Sequence, residues 1–305
     1  MEILKQEDLM KITNKFNVPE TLLALASKQY YSKGNADFSV TEIISPPRIQ
    51  RLRTKHYHEM EQDVSDMLWS LLGSALHVVA ERSEIANHVN EERLFLDIDG
   101  VTLSGAIDLQ HIDGKSVEIT DYKFTSAWAL RADKIDWAQQ QNIYGYMVEK
   151  LKGLNVTSLR ICAFVRDWSR REAQRNPDYP QAPIQIVHIP LWPMEETEKY
   201  IKERIDVHRS SKVSADWDEE LPECTSDERW IREEKFALKK EGRKTAVKLF
   251  DDIQTATVFL SVLKDKDKHF IEHRKGEPIR CVNNFCGVNQ WCSQYKKTEE
   301  ENENE

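Results

Sequence analysis

The sequence predicts an α/β fold with a mixed central β-sheet flanked by helices. Three observations carry that expectation. Apolar residues recur at helical spacing between Asp63 and Arg82. Short apolar runs separated by Gly-containing turns follow between Leu94 and Lys123. Helical and strand-like stretches then alternate as far as Ser210. A period near 3.6 marks amphipathic helix and a period of 2 marks strand. Both in one chain call for helices layered on a sheet.

Taken in order, residues 1–35 read as helical material with a loop at Gly34-Asn-Ala-Asp. Thr41 is placed to cap a short helix, and Pro47 suits the first position of the next one, because its missing N–H is not needed there. Val64, Met67, Leu68, Leu71, Leu72, Ala75, Val78 and Val79 share one helical face. Leu94 to Gly100 reads as a strand and turn. Gly105 to Lys123 reads as a β-hairpin about Asp113-Gly114. A second helix spans Asp136 to Lys150 and stops near Gly153. Ser158–Val165 and Ile184–Pro190 are strands, and Met194–Ser210 is a charged amphipathic helix. A hairpin about Glu241-Gly242 and a helix over Ala256–Asp267 precede a Cys-rich end. No internal repeat is present. The expected organisation is an N-terminal helical region (1–60), a core (61–215), a C-terminal region holding the cysteines (216–293) and an acidic, disordered tail (294–305).

With 305 residues, 40% hydrophobic and 31% charged, the chain suits a soluble protein of one large or two small domains. It has no apolar run near the ~20 residues that span a bilayer. Met1-Glu-Ile-Leu-Lys-Gln-Glu-Asp lacks a signal-peptide pattern, so a cytoplasmic location is expected. The net charge of -9 argues against a nucleic-acid partner, since a DNA-binding surface needs local Lys and Arg. Three local basic clusters stand against that balance: Arg48, Arg51, Arg53 and Lys55; Arg166, Arg170, Arg171 and Arg175; and Lys235, Lys239, Lys240, Arg243, Lys244 and Lys248. Each reads either as a solvated face or as part of a DNA path.

The chemistry concentrates in the hairpin. Side chains alternate along a strand, so Val117, Ile119, Asp121 and Lys123 share a face. A strand that buries Val and Ile and then adds an acid and a lysine to the same face is costly unless the charges are paired or bound to an ion. Asp108 sits on the partner strand. Gly73, His77 and Glu81 lie four apart on the first long helix, hence on one face, with Gly73 read as allowing close packing. A lone His on such a helix reads as a satisfied core residue; beside Glu81 and the acidic hairpin it reads as a metal ligand. Gln140 and Tyr144 are likewise four apart, and both can hydrogen-bond a phosphate or a lysine. Glu118 falls on the opposite strand face and is left out.

These blocks, Gly73…His77…Glu81, Gly105-Ala-Ile-Asp108, Asp121-Tyr-Lys123 and Gln140-Gln-Asn-Ile-Tyr144, resemble in order and spacing the RecB-like branch of the PD-(D/E)xK nuclease superfamily. Phe164-Val-Arg-Asp167-Trp-Ser169 and Asp178-Tyr-Pro180 resemble phage-encoded members. The resemblance implies a restriction-endonuclease-like core. It implies that His77, Asp108, Asp121 and the backbone carbonyl of Tyr122 hold Mg²⁺ or Mn²⁺, with Glu81 as a further ligand candidate. Lys123 would orient or deprotonate the attacking water and stabilise charge at phosphorus. Gln140 and Tyr144 would steady the site and the DNA strand. The implied function is metal-dependent DNA hydrolysis, an exonuclease in viral recombination or replication, located in a host cytoplasm and working beside a single-strand annealing protein. From a different class, the chain reads as a catalytically silent DNA-end-binding or assembly module on the same fold. A plain interaction protein recruiting a basic partner through the acidic tail is the third reading.

Of five cysteines, Cys281, Cys286 and Cys292 cluster near the C-terminus. Clustered cysteines in a cytosolic chain favour metal over disulfide. The same end resembles nucleases in which three cysteines complete an iron–sulfur cluster with a fourth upstream. Here the upstream stretch Ile44-Ser-Pro46-Pro-Arg has no cysteine. Cys224 is the candidate substitute, with His56 or His58 weaker ones. Four thiolates suit zinc or an iron–sulfur cluster; ordinary buried thiols are the other reading. Cys162, inside an apolar strand, reads as core.

Overall fold

The computed structural model describes residues 10–27, 33–131, 134–213 and 218–303. Parts of the N-terminal helical region read from sequence, residues 1–9 and 28–32, and the last two residues of the tail lie outside the described residues. The chain divides into two compact units, residues 1–45 with 54–213 and residues 46–53 with 214–305.

In chain order the first elements are β1 (Lys11–Thr13), α1 (Glu20–Ala26), β2 (Phe38–Ser39), α2 (Val40–Ile44) and α3 (Pro47–Lys55). The cap of α2 is Ser39, not Thr41. Ser39 Oγ accepts the Glu42 N–H while the Glu42 carboxylate accepts the Ser39 N–H, a reciprocal pair that satisfies two orphan donors. β3 (Glu61–Asp63), a 3₁₀ turn (Val64–Met67) and α4 (Leu68–Glu81) follow. Then come β4 (His88–Ile98), β5 (Val101–Asp113), β6 (Ser116–Thr125), α5 (Ile135–Lys152), β7 (Asn155–Val165), α6 (Arg170–Arg175), β8 (Ile184–Ile189) and α7 (Met194–Val213).

The central sheet of the first unit runs β2-β5-β6-β7-β8, with β4 pairing β5. It is mixed as expected: β2–β5 and β6–β7 are parallel, and the other pairs antiparallel. β4 and β5 are joined by Asp99 and Gly100, both at positive φ (51° and 76°), the backbone a tight two-residue hairpin needs. That turn sets Ile98 opposite Val101 and so fixes every later pair. Residues 88–93 show no clean strand alternation; β5 recruits them into the sheet. Beside the sheet, α5 buries Ile143, Tyr144 and Met147 against Leu103, Ile107, Val117 and Ile119. Gly105 makes that approach possible, because a Cβ there would lie 2.9 Å from Met147 Sδ and 3.0 Å from Tyr144 Cε1. β8 ends the sheet, with Ile184 and Ile186 about half exposed.

Helix α4 departs from its reading. Its apolar period is real, yet none of its residues is fully buried, and Leu68, Trp69, Leu72, Val78 and Val79 are exposed. It rests on β4 and β6 along one side only. Gly73 meets nothing within 4 Å, so its small size serves no close packing.

The second unit has α8 (Ser226–Arg229), β9 (Ile231–Arg232), β10 (Lys235–Lys240), β11 (Lys248–Phe250), α9 (Ile253–Ser261), β12 (His269–Arg274), β13 (Glu277–Pro278), α10 (Ile279–Val282) and α11 (Ser293–Glu303). A β11-β10-β12 sheet packs Leu238 and Phe250 with Ala256 of α9. A second core joins Ile49 and Leu52 of α3 to Leu221, Cys286, Val288 and Cys292. Arg48 is buried there. Its guanidinium donates to Asp218 Oδ1 (2.7 Å), Ser293 Oγ (3.1 Å) and the carbonyls of Leu221 (2.6 Å) and Pro222 (3.2 Å), which offsets the cost of removing the charge from water. Where acidity predicted disorder from residue 294, α11 is helical to Glu303. Its first turn is anchored, since the Ser293 N–H donates to Asp218 Oδ2 (2.6 Å) and Gln294 is buried.

Two of the three basic clusters are partly committed within the fold. Arg48 is committed as above, and Arg53 donates to the Cys286 carbonyl. Lys235, Lys239 and Lys240 pair with Asp251, Glu272 and Asp265.

The two glycines give opposite expectations. Gly105→Ala should destabilise the chain by about 1–3 kcal/mol through overpacking. Gly73→Ala, in open space on a helix, should be neutral or stabilise by up to about 1 kcal/mol. Urea denaturation of both variants measures this; equal effects would refute the close approach at Gly105.

Candidate active site

Hairpin register builds the site. Across β4–β5, ladder partners run Asn90–Leu109 and Glu92–Ile107, which leaves Glu91 level with Asp108. Across β5–β6, the last ladder pair is Leu109–Thr120, and one step further brings Asp108 level with Asp121. Three acids therefore stand in one row across three neighbouring strands. Like charges directly opposite one another destabilise a sheet. Glu91 is also held at φ 52°, a left-handed conformation that costs a non-glycine residue energy and tends to collect at functional sites.

Helix α4 adds the imidazole. His77 Nδ1 is 2.7 Å from Glu91 Oε1 and 3.7 Å from Asp108 Oδ1. His77, Glu91 and Asp108 each offer a ligand atom, all within 4.8 Å of one another. Asp108 is nearly buried; its side chain is 8% exposed, against 35% for His77, so the group opens to solvent on the helix side. The Tyr122 N–H donates to Asp108 Oδ2 at 2.7 Å, which fixes the carboxylate and turns Oδ1 towards His77. Lys123 Nζ lies 2.7 Å from Asp121 Oδ2.

The electrostatics register the crowding. Burial, then the charge of Asp121, pushes the Asp108 carboxyl up to about 7, against His77, the Tyr122 N–H and Lys123. The hydrogen bond that His77 donates to Glu91 raises the imidazole above its ordinary value despite burial, with Asp108, Glu91 and Asp121 adding through their charges. Burial pulls Lys123 down, but the charge and hydrogen bond of Asp121 outweigh it and the net direction is up. A proton on His77 thus supplies positive charge where carboxylates outnumber cations. One nitrogen and several carboxylate oxygens, short of positive charge and open to water, suit a hard divalent cation such as Mg²⁺ or Mn²⁺.

The structure brings together His77, Asp108, Asp121 and Lys123 from the sequence-derived set; from Tyr122, whose carbonyl the resemblance implies as a ligand, the contact seen is that of its N–H with Asp108. Glu81 is exposed at the last residue of α4 and stands outside the cluster. Glu91, which sequence reasoning missed, joins the cluster. The signal was available: counting outward from the Asp99-Gly100 turn places residue 91 across from residue 108. Gln140 Nε2 donates to the Tyr144 hydroxyl at 2.9 Å, and both side chains are buried where α5 crosses Gly105.

In the second unit, Cys224, Cys281, Cys286 and Cys292 line one small cavity of about 20 Å³. None is in a disulfide. Gln294 joins Cys224 to α11, accepting from the Cys224 N–H (2.9 Å) and donating to its carbonyl (3.0 Å). Burial, with Glu228 and neighbouring thiols, pushes Cys224 up to about 12. Burial also raises Cys281, against the opposing Arg229. Arg229 and Arg280 line the same cavity, and the buried Nε of each has no hydrogen-bond acceptor. Cationic donors facing thiols fit a thiolate-bound metal or cluster, whose sulfurs carry negative charge. Cys162 is half-buried rather than part of the core.

Comparison with known proteins gives a family. The family model described as the PD-(D/E)XK nuclease superfamily matches residues 38–293. Among solved structures, SSO0001 is 15% identical with a TM-score of 0.38, over 62% of this chain and 82% of that one. The "Putative exonuclease" from Eubacterium rectale is 10% identical with a TM-score of 0.24, over 50% of this chain and 51% of that one; the chain spans about half of that protein's length. No curated protein matches.

If Glu91 is a ligand, Glu91→Ala and Asp108→Ala should each weaken Mn²⁺ binding about tenfold or more, while Glu81→Ala leaves it unchanged. Calorimetric titration with MnCl₂ measures this. Unaltered affinity in Glu91→Ala would remove it from the site.

Proposed function

The chain belongs to the PD-(D/E)XK nuclease superfamily, and from that premise we propose that it is a Mg²⁺- or Mn²⁺-dependent deoxyribonuclease. In its finer form the reading is an exonuclease of the RecB-like, phage-type branch, acting in the cytoplasm in viral DNA recombination or replication beside a single-strand annealing protein. The observation that carries the catalytic reading is the acid row Glu91–Asp108–Asp121, met by His77 on one side and Lys123 on the other. The four sequence blocks in order support the finer form. No helix among the described residues is long and apolar enough to cross a membrane.

His77, Glu91 and Asp108 would hold the cation, with Asp121 beside them. A divalent ion there supplies positive charge against the scissile phosphate and makes hydroxide available from bound water nearer neutral pH. The protein's own groups do the rest. Asp121 keeps Lys123 in its ammonium form at 2.7 Å. That ammonium orients the attacking water and offsets the charge that builds on the phosphorus oxygens as the P–O ester bond breaks. The Tyr122 N–H keeps Asp108 from turning away. Gln140 and Tyr144, bonded to each other, brace the floor of the site beneath β5.

The same reading extends to Cys224, Cys281, Cys286 and Cys292 as ligands of a structural zinc ion or iron–sulfur cluster. Raised thiol pKa values make an empty thiolate set unfavourable in this setting. A bound metal keeps such thiols deprotonated.

End-labelled linear and circular DNA, with Mg²⁺ or Mn²⁺ or with chelator, test the activity. Metal-dependent loss of linear substrate is expected. Asp108→Asn should abolish it, yet raise the melting temperature of the metal-free protein, because a repelling charge is gone. Lys123→Ala should slow cleavage on the order of 10²–10³-fold. Undiminished cleavage in both variants, or none from the native protein with either ion, refutes the assignment. Visible absorbance and elemental analysis of fresh protein test the cysteine site. Metal-free, colourless protein whose Cys224 and Cys286 alkylate freely in the folded state would sink it.

A further inference from the structure

The rim beyond the acid row carries groups that hydrolysis does not use. Trp128 is 75% exposed on the turn after β6. That turn is fastened to the loop after β7. The Ala127 N–H donates to Asp167 Oδ1 (2.7 Å), and the Arg166 N–H donates to the Thr125 carbonyl (2.9 Å). The Arg166 guanidinium lies 5.4 Å over the ring of Trp69 on α4, and Trp69 is 38% exposed. A separate run of aromatic rings ends at the metal-ligand group. Phe124 stacks on Phe164 at 5.1 Å, Phe164 meets Tyr122 edge-on at 6.2 Å, and Tyr122 meets His77 at 6.3 Å. Trp69 precedes His77 by two helical turns, about 12 Å along the axis.

Charge completes the pattern. Arg166, Arg170, Arg171 and Arg175 are all exposed, and none pairs with a carboxylate among the described residues. That sets them apart from Lys235, Lys239 and Lys240, which are matched to acids, in a chain of net charge -9.

We propose that the Trp69–Trp128–Arg166 rim, with the α6 arginines, is a single-strand nucleic-acid site that delivers unpaired nucleotides to the acid row. It rests on the nuclease reading and names the form of substrate. Tryptophan faces and an arginine plane offer stacking to bases, and stacking of that kind tolerates any sequence. Bases inside a duplex are already stacked on their neighbours and cannot offer a face. Unpaired arginines match phosphates spaced along a strand. A second copy of this chain fits less well. In a two-fold dimer the patch meets itself, which would set the four arginines against their own copies, whereas interface cores are depleted of charge.

The test is binding in EDTA, where no cleavage intervenes. A fluorescein-labelled oligo-dT and a duplex of equal length are titrated with full-length protein, read by anisotropy and by tryptophan emission. The single strand should bind more tightly and quench emission. Trp128→Ala, exposed enough to spare the fold, should weaken single-strand binding on the order of tenfold and leave duplex binding unchanged. Arg170→Ala with Arg171→Ala should flatten the salt dependence of single-strand binding. Native affinity in Trp128→Ala, tighter binding of duplex, or a dimer by light scattering that shields the tryptophans would each overturn the site. Metal-dependent cleavage alongside any of these would leave the nuclease reading standing. Absent cleavage with single-strand binding intact would sink that reading and support the rim.

Discussion

Three carboxylates at one level of three adjacent strands are the constraint around which the first unit is arranged. Strand pairing alone would spread acids apart; here it lines up Glu91, Asp108 and Asp121. Everything that approaches the row answers that charge: the His77 imidazole from α4, the Tyr122 N–H from the backbone and the Lys123 ammonium from the same strand. The burial of Asp108 makes the debt heavier, since water cannot screen it. A fold that maintains such an arrangement forgoes stability there.

The sheet itself was largely legible. Period-2 runs and Gly-containing turns located β5, β6, β7 and β8, and helical spacing located α5 up to its stop at Gly153. Asp121 and Lys123 could be read because alternation on β6 put charge on an otherwise apolar face, and Asp108 as the acid of the partner strand β5. Glu91 could not be read by the same rule. His88-Val-Asn-Glu-Glu-Arg93 shows no clean alternation, and it is strand only because β5 offers it a partner. Its position was encoded in register, a property of two segments and the turn between them. Glu81 failed for the converse reason: sharing a helix face with His77 says nothing about where the helix stops relative to the sheet, and α4 ends there.

Helix α4 teaches a related lesson. Apolar periodicity reports that a face avoids water, without saying what covers it. Here β4 and β6 support one side and leave Leu68, Trp69 and Leu72 open. In the second unit, Cys224 lies far in sequence from the other three thiols. It reaches their cavity because Arg48, Asp218 and Gln294 tie the intervening segments together. Buried hydrogen bonds of that kind leave no periodic trace in a sequence.

Strand β8 closes the sheet on one side, and beyond it the described residues supply no further strand. It carries half-exposed Ile184 and Ile186, and its run Ile184-Gln-Ile-Val-His-Ile189 holds no lysine, arginine, aspartate or glutamate. Edges usually avoid strand-to-strand accretion by means of charge, proline or a bulge. Pro183 and Pro190 bracket this one but do not interrupt it. Crowded preparations of the protein should therefore begin to self-associate there, through backbone pairing between molecules, along a strand whose Val187 stands level with Asp121 with only β7 between them.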